Sequence, residues 1–324
     1  MDLQQFLTEW YDDSPTVLVH TSGSTGEPKP MLVEKRRMES SARTTCDFLG
    51  LHRSDTALLC MPLDYIAGKM MVVRSLVCGL RLITVPPSGN PLAAVTEPLD
   101  FAAMVPMQVW NSLQVTEQRQ RLMAIRHLII GGGAIDEKLA AELRTLPNAV
   151  WSTYGMTETL SHIALRRLNG PDATEWYTPF DGIALSVTTD DCLIIDAPAV
   201  HDGLLTTNDI AELAPDGRFR ILGRKDNVIC SGGLKIQAEE VERLLSPHLH
   251  APYIITKRKD EIFGEAVVLL TEGDTSAAQV ICQRVLPKYW QPRAYVHIDR
   301  IPQTPTGKPS RKQAAELVSS IAKV

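Results

Sequence analysis

A chain of 324 residues, 44% hydrophobic, 22% charged and 6% aromatic, is too long for one ordinary core and too apolar for wholesale disorder. Its net charge of −5, from 33 Lys+Arg against 38 Asp+Glu, argues against a protein that coats nucleic acid, since that work needs a basic surface. The most apolar stretch, 70–85, is broken by Arg74 and Arg81, so the sequence predicts no membrane insertion.

The opening MDLQQFLTEWYDD is acidic and lacks the basic-then-apolar pattern of a secretory signal. Residues 16–20 form a short apolar run that ends in a Gly/Ser/Thr loop. Helical spacing follows over 36–51, a strand pattern over 56–60, a buried helix over 68–79, and a strand over 81–85 ended by Pro86 and Pro87. Residues 127–130 run as a strand into Gly131, Gly132 and Gly133, with an amphipathic helix over 136–146. This alternation predicts βα units and a mainly parallel sheet covered by helices. From about Gly182 short strands and turns predict a β-rich lobe, with no long helix until Ala238. The tail reads as a small α+β domain: helix 238–245, strands 253–256 and 266–270, helix 276–285, strand 295–298 and a last helix after Pro309. We therefore place domains at 1–223 and 224–324. Charge supports the boundary, with 18 basic and 27 acidic groups before it and 15 and 11 after it. Cys46, Cys60, Cys78, Cys192, Cys230 and Cys282 are scattered without a CxxC pair, which fits small buried side chains in a reducing, cytoplasmic setting.

Four motifs carry chemistry. TSGSTGEPKP (21–30) follows a strand; its glycines allow a tight turn, its hydroxyls and amides can donate to phosphate, and Lys29 adds a mobile charge. The spacing Gly23-x-x-Gly26-x-x-Lys29 is not a Walker A loop, and taken alone the segment also reads as an exposed turn. In YGMTET (154–159) a ring can stack on a purine, a hydroxyl can meet phosphate and Glu158 can ligate Mg²⁺. Alone, the same segment reads as a helix cap by Thr157 or Thr159. The third group is TTND (206–209), GRKD (223–226) and SGGLK (231–235), where Asp209 can accept from both hydroxyls of a ribose. The fourth, PQTPTGKPSR (302–311), holds Lys308 between a glycine and a proline.

Together and in this order, the four motifs resemble the adenylate-forming superfamily of acyl-CoA synthetases, adenylation domains and luciferases, over nearly the whole chain. The resemblance implies a large N-terminal α/β domain with a small β-rich lobe and a mobile C-terminal α+β lid. It implies an ATP phosphate loop at Thr21, Ser22, Gly23, Ser24, Thr25, Gly26 and Lys29, with Gly131, Gly132, Gly133 and Ala134 against adenine and Tyr154 stacked on it. Thr157 would contact the α-phosphate and Glu158 the Mg²⁺. Asp209 would hold the ribose with Arg224 nearby, Asp226 would be the hinge, and Ser231, Gly232 and Gly233 would line the CoA pantetheine path. Lys308 would be the lysine of adenylation. The implied reaction joins a small carboxylic acid to CoA at the expense of ATP, in two steps through an acyl-adenylate.

The chain departs from the family pattern at Pro30, where glycine is usual, and at Tyr65, where histidine is common. Relatives have far more chain before the phosphate loop than the 20 residues here; Met1 suggests a naturally short member, with an engineered truncation as the alternative. The segment YIAGKMMVVR (65–74), with PPSGNP (86–91) and TLSHIAL (159–165), is similar to short o-succinylbenzoate–CoA ligases of menaquinone biosynthesis. On that resemblance Tyr65 lines the acyl pocket, and either Lys69 or Arg74 neutralises a second carboxylate of the acid. The structural alternative is that each cation snorkels or pairs with an acid. Other acyl- or aryl-CoA ligases, a carrier-directed adenylating enzyme and a degenerate nucleotide-binding regulator remain as rival readings, and a homo-oligomer is left open.

Overall fold

The computed structural model describes residues 1–20, 30–303 and 309–321. Helix α1 (Leu3–Trp10) opens on a capping box: Asp2 accepts from the Gln5 amide, and the Gln5 side chain accepts from the Asp2 amide. Phe6 and Trp10, one turn apart, are its buried face. Strands β1 (Thr16–His20) and β2 (Pro30–Glu34) pair antiparallel, with His20 opposite Pro30, in a two-stranded sheet of their own. The first strand of the alternation thus lies outside the parallel sheet. Nine residues separate β1 from β2, too few for the crossover that a parallel pair needs.

The expected βα alternation then appears: α2 (Lys35–Leu49), β3 (Thr56–Leu59), α3 (Ile66–Cys78), β4 (Arg81–Thr84), β5 (Phe101–Met104), α4 (Pro106–Leu113), α5 (Thr116–Ala124), β6 (His127–Ile130), α6 (Glu137–Arg144), β7 (Ala149–Gly155), β8 (His162–Arg167) and β9 (Thr178–Pro179). Gly50 and Gly79 end α2 and α3 in the left-handed conformation that glycine adopts without strain. The strands form one sheet in the order β4-β3-β5-β6-β7-β8-β9, parallel from β4 through β7 and antiparallel after it. Every residue of β3 and β5 is buried, as expected of parallel strands covered on both faces. Leu58, Met104, Leu128, Ile130 and Val150 pack with Val109, Leu122 and Leu143 from the helices, each contributing ~2 kcal/mol by burial. This places the loops after β6 and β7 at the C-terminal edge of the parallel strands, where open α/β sheets bind ligands.

The β-rich lobe is a four-stranded sheet in the order β10 (Ala184–Val187), β11 (Cys192–Asp196), β12 (Leu204–Leu213) and β13 (Phe219–Arg224). The chain divides into two compact units: Met1–Ser186, Ile194–Leu205 and Leu213–Arg220 form the first, and Val187–Leu193, Thr206–Glu212 and Ile221–Val324 the second. The second contains β14 (Val228–Ser231), β15 (Leu234–Gln237), α7 (Ala238–Leu245), β16 (Tyr253–Asp260), β17 (Gly264–Thr271), α8 (Thr275–Val285), β18 (Ala294–His297) and α9 (Arg311–Ile321). Its sheet alternates with period two. Val267 and Leu269 face α7 and α8 with Val241 and Ala278, while Val268 and Leu270 face α9 with Ala314 and Val318. No helix among the described residues is long and apolar enough to cross a membrane.

Candidate active site

In the first unit, Gly131 follows β6 so closely that an added Cβ would lie 2.4 Å from Thr153 Oγ1 on β7. Gly132 has φ +75°, which a side chain would resist. Tyr154, next to Thr153, is half-buried; its ring lies 5.1 Å from that of Phe219 and 5.9 Å from that of Tyr177. The Tyr177 hydroxyl meets Ser152 Oγ at 2.9 Å. A bare glycine backbone and an aromatic cluster on adjacent strands form a surface suited to a flat heterocycle.

The chain then turns sharply. A Cβ on Gly155 would meet Ser161 O at 2.3 Å, so only glycine permits this close return. Residues Thr157–Thr159 form a single tight helical turn in which Thr159 Oγ1 accepts from the Met156 amide and donates to Ser161 O. Thr159 does the structural work, leaving Thr157 half-buried and Glu158 exposed, without an ion pair among the described residues. No group of three metal-binding side chains occurs among those residues. One free carboxylate fits Mg²⁺, which takes most of its ligands from phosphate and water.

Helix α3 carries the acid-site candidates. Tyr65 precedes it and is 41% exposed, its backbone bridging to His20. Lys69 and Arg74 are both buried. Lys69 Nζ donates to Glu9 Oε2 at 3.2 Å and to Leu18 O at 2.7 Å, and lies 5.0 Å over the Phe6 ring. Arg74 has no carboxylate partner among the described residues. Its Nη2 donates to Ser161 Oγ at 2.7 Å, Nη1 reaches the Met71 sulfur at 3.7 Å, and Nε has no hydrogen-bond partner among the described residues. Burial brings the Arg74 pKa down to about 10. Local pattern does not single out Glu9 or Ser161, although Ser161 lies within TLSHIAL (159–165), two residues beyond the YGMTET motif.

In the second unit Asp209, on β12, is buried and accepts from Arg224 Nη1 at 3.1 Å; Arg224 Nη2 also lies 3.5 Å from Asp226. Asp226 sits in the tight turn Lys225–Asn227, with Asn208 donating to it at 3.4 Å. Ser231 ends β14, and Gly232 (φ +58°) with Gly233 (φ +81°) makes the two-residue turn into β15. Two positive φ angles in succession demand this Gly-Gly pair. Thr21, Ser22, Gly23, Ser24, Thr25, Gly26, Lys29 and Lys308 lie outside the described residues.

A model of the AMP-binding enzyme family matches residues 5–198. The chain belongs to this family. Among solved structures, an acyl-CoA synthetase (AMP-forming)/AMP-acid ligase II-like protein from Dyadobacter fermentans is 31% identical over 97% of this chain and 92% of its own, with a TM-score of 0.67. The o-succinylbenzoate–CoA synthetase MenE of Bacillus subtilis, solved with ATP and magnesium ion, shares the fold: 23% identity, 91% of this chain, 69% of its own and a TM-score of 0.76. A 2-succinylbenzoate–CoA ligase of Bacillus mycoides is 23% identical over 98% of this chain and 73% of its own. The large α/β region of this AMP-binding enzyme therefore matches the architecture that its motifs imply.

Proposed function

We propose that this AMP-binding enzyme is an AMP-forming acid–CoA ligase whose acid is 2-succinylbenzoate, serving menaquinone biosynthesis in the cytoplasm, where ATP and CoA are at hand. The observation that carries the choice of acid is Arg74, a buried guanidinium without a carboxylate partner among the described residues, on a helix where the neighbouring cation is already paired. An aromatic keto-diacid supplies the missing negative charge.

In the first half-reaction a carboxylate oxygen of the acid attacks the α-phosphorus of ATP, and the bond to pyrophosphate breaks. In the second, the CoA thiolate attacks the acyl carbon and AMP leaves. The protein's part is placement and charge. Thr21, Ser22, Gly23, Ser24, Thr25, Gly26 and Lys29 cradle the phosphates, while Gly131, Gly132, Gly133, Ala134 and Tyr154 take the adenine. Asp209, steered by Arg224, accepts from the ribose hydroxyls. Thr157 donates to the α-phosphate, and Lys308 offsets charge developing at phosphorus. Glu158 is the protein ligand for Mg²⁺, which when bound neutralises phosphate charge. Asp226 is the hinge about which 224–324 turns between steps, bringing Ser231, Gly232 and Gly233 to the pantetheine. Tyr65 lines the acyl pocket rim.

The test is pyrophosphate release from ATP with a panel of acids, followed by addition of CoA. We expect 2-succinylbenzoate to exceed benzoate by ~10⁴ in kcat/KM, because a site built for a polar group rejects an analogue that lacks it. Equal efficiency with benzoate overturns the choice of acid, and no pyrophosphate release with any acid overturns the ligase reading.

A further inference from the structure

Behind Arg74 lies a buried chain of hydrogen bonds whose directions can be worked out. Thr45 Oγ1, on α2, donates to Ser41 O at 3.0 Å. Its one hydroxyl proton is thereby used, so toward His162 Nε2, 3.1 Å away, it can only accept. His162 therefore carries its proton on Nε2 and presents Nδ1 as an acceptor. Ser161 Oγ, 3.2 Å from Nδ1, donates there and accepts from Arg74 Nη2 at 2.7 Å. The Ser161 hydroxyl, both His162 ring nitrogens and the Thr45 hydroxyl are thereby all satisfied, in a run from Arg74 Nη2 to a helix carbonyl. The Phe180 ring packs edge-on against the imidazole at 5.5 Å. Burial, with the nearby Arg74 charge, holds His162 well below the usual histidine range, so it is neutral and its tautomer is fixed.

This arrangement occupies Nη2 and leaves Nε of Arg74 as a buried donor without a partner among the described residues. We propose that Thr45 and His162 are positioning residues for the acid site. They lock the Ser161 hydroxyl, and through it the Arg74 guanidinium, in the orientation that presents Nε to the distal carboxylate of the acid. The inference rests on the reading of Arg74 given above. Neither residue touches substrate: His162 acts through Ser161, and Thr45 through His162. A rotated Ser161 hydroxyl would let the guanidinium turn, weakening the fork that matches a carboxylate.

The readout is the ratio of kcat/KM for 2-succinylbenzoate to that for benzoate, which a merely structural defect lowers in numerator and denominator alike. His162→Leu removes both ring hydrogen bonds, and the ratio should fall about tenfold, the effect expected for a hydrogen bond to a charged group. His162→Asn, whose Oδ1 stands in for Nδ1, should restore the ratio to within about threefold of the wild type. Thr45→Val, a near-isosteric loss of the hydroxyl, should lower it by roughly threefold and carries the test should the leucine variant not fold. A ratio unchanged in both His162→Leu and Thr45→Val overturns the proposal, as does Asn behaving no better than Leu. If the wild-type enzyme shows no preference, the Arg74 reading itself fails. If preference is lost in Arg74→Ala but kept in the other variants, only the positioning role fails.

Discussion

At its N-terminal end α3 buries Lys69 against a carboxylate, a carbonyl and an aromatic ring; five residues on, the same helix buries Arg74 against one hydroxyl and a thioether sulfur. Both cations lose their hydration, but among the described residues only the first finds a carboxylate. Lys69 ties α3 to Glu9 of α1 and to β1, so its charge is spent on tertiary structure. Arg74 keeps a donor in reserve among the described residues, and burial lowers its pKa. Burial alone does not mark a functional cation. What marks it is the set of donors left over after the protein's own groups are counted.

Substitutions can break this contrast from either side. The largest effect should come from Arg74→Ala, which removes the charge that selects a diacid. The 2-succinylbenzoate-to-benzoate ratio should fall by about 10³, or ~4 kcal/mol in differential transition-state binding, in steady-state kinetics. Lys69→Met should leave that ratio intact and instead lower stability by about 2 kcal/mol in urea unfolding; Glu9, left unpaired, is partly solvated and so exacts less than a fully buried ion. A changed ratio in Lys69→Met would erase the distinction between the two cations. Arg74→Met keeps much of the volume and removes a desolvated charge, so stability should rise by ~1 kcal/mol while acid preference is lost.

A smaller effect sharpens the picture around Arg74. The folded-state pKa of His162 lies below its unfolded value, so the unfolded chain binds the extra proton. His162 therefore contributes its full stability above pH ~6.5, and this is lost as pH falls toward the folded pKa, by at most about 1.4 kcal/mol per pH unit. His162→Asn should show a shallower loss of stability than the wild type between pH 6.5 and 5. Parallel curves would mean that the imidazole is not held neutral.

Much of the fold could be read from local pattern. The apolar run over 68–79 marks α3, and the short apolar runs at 56–60 and 127–130 mark strands that prove buried and parallel. Helix α1 was missed, though Asp2, Gln5, Phe6 and Trp10 carry a capping box and an i, i+4 apolar pair. The β1–β2 hairpin was missed because Pro30 hides a strand start within a loop-like composition. Within the acid site, sequence could nominate Lys69 and Arg74 but not separate them. The deciding partners, Glu9 and Ser161, lie 60 and 87 residues away along the chain, and Thr45 lies 117 residues from His162. Such contacts follow from how α1, α2, α3 and the start of β8 pack, which no local spacing encodes.

The most direct measurement is a crystal structure of the chain with a non-hydrolysable analogue of the 2-succinylbenzoyl adenylate. The distal carboxylate should lie ~2.8 Å from Arg74 Nε, with Nη2 still on Ser161 and Lys69 still on Glu9. A distal carboxylate held by Lys69, or left in solvent with Arg74 Nε unpartnered, would contradict it.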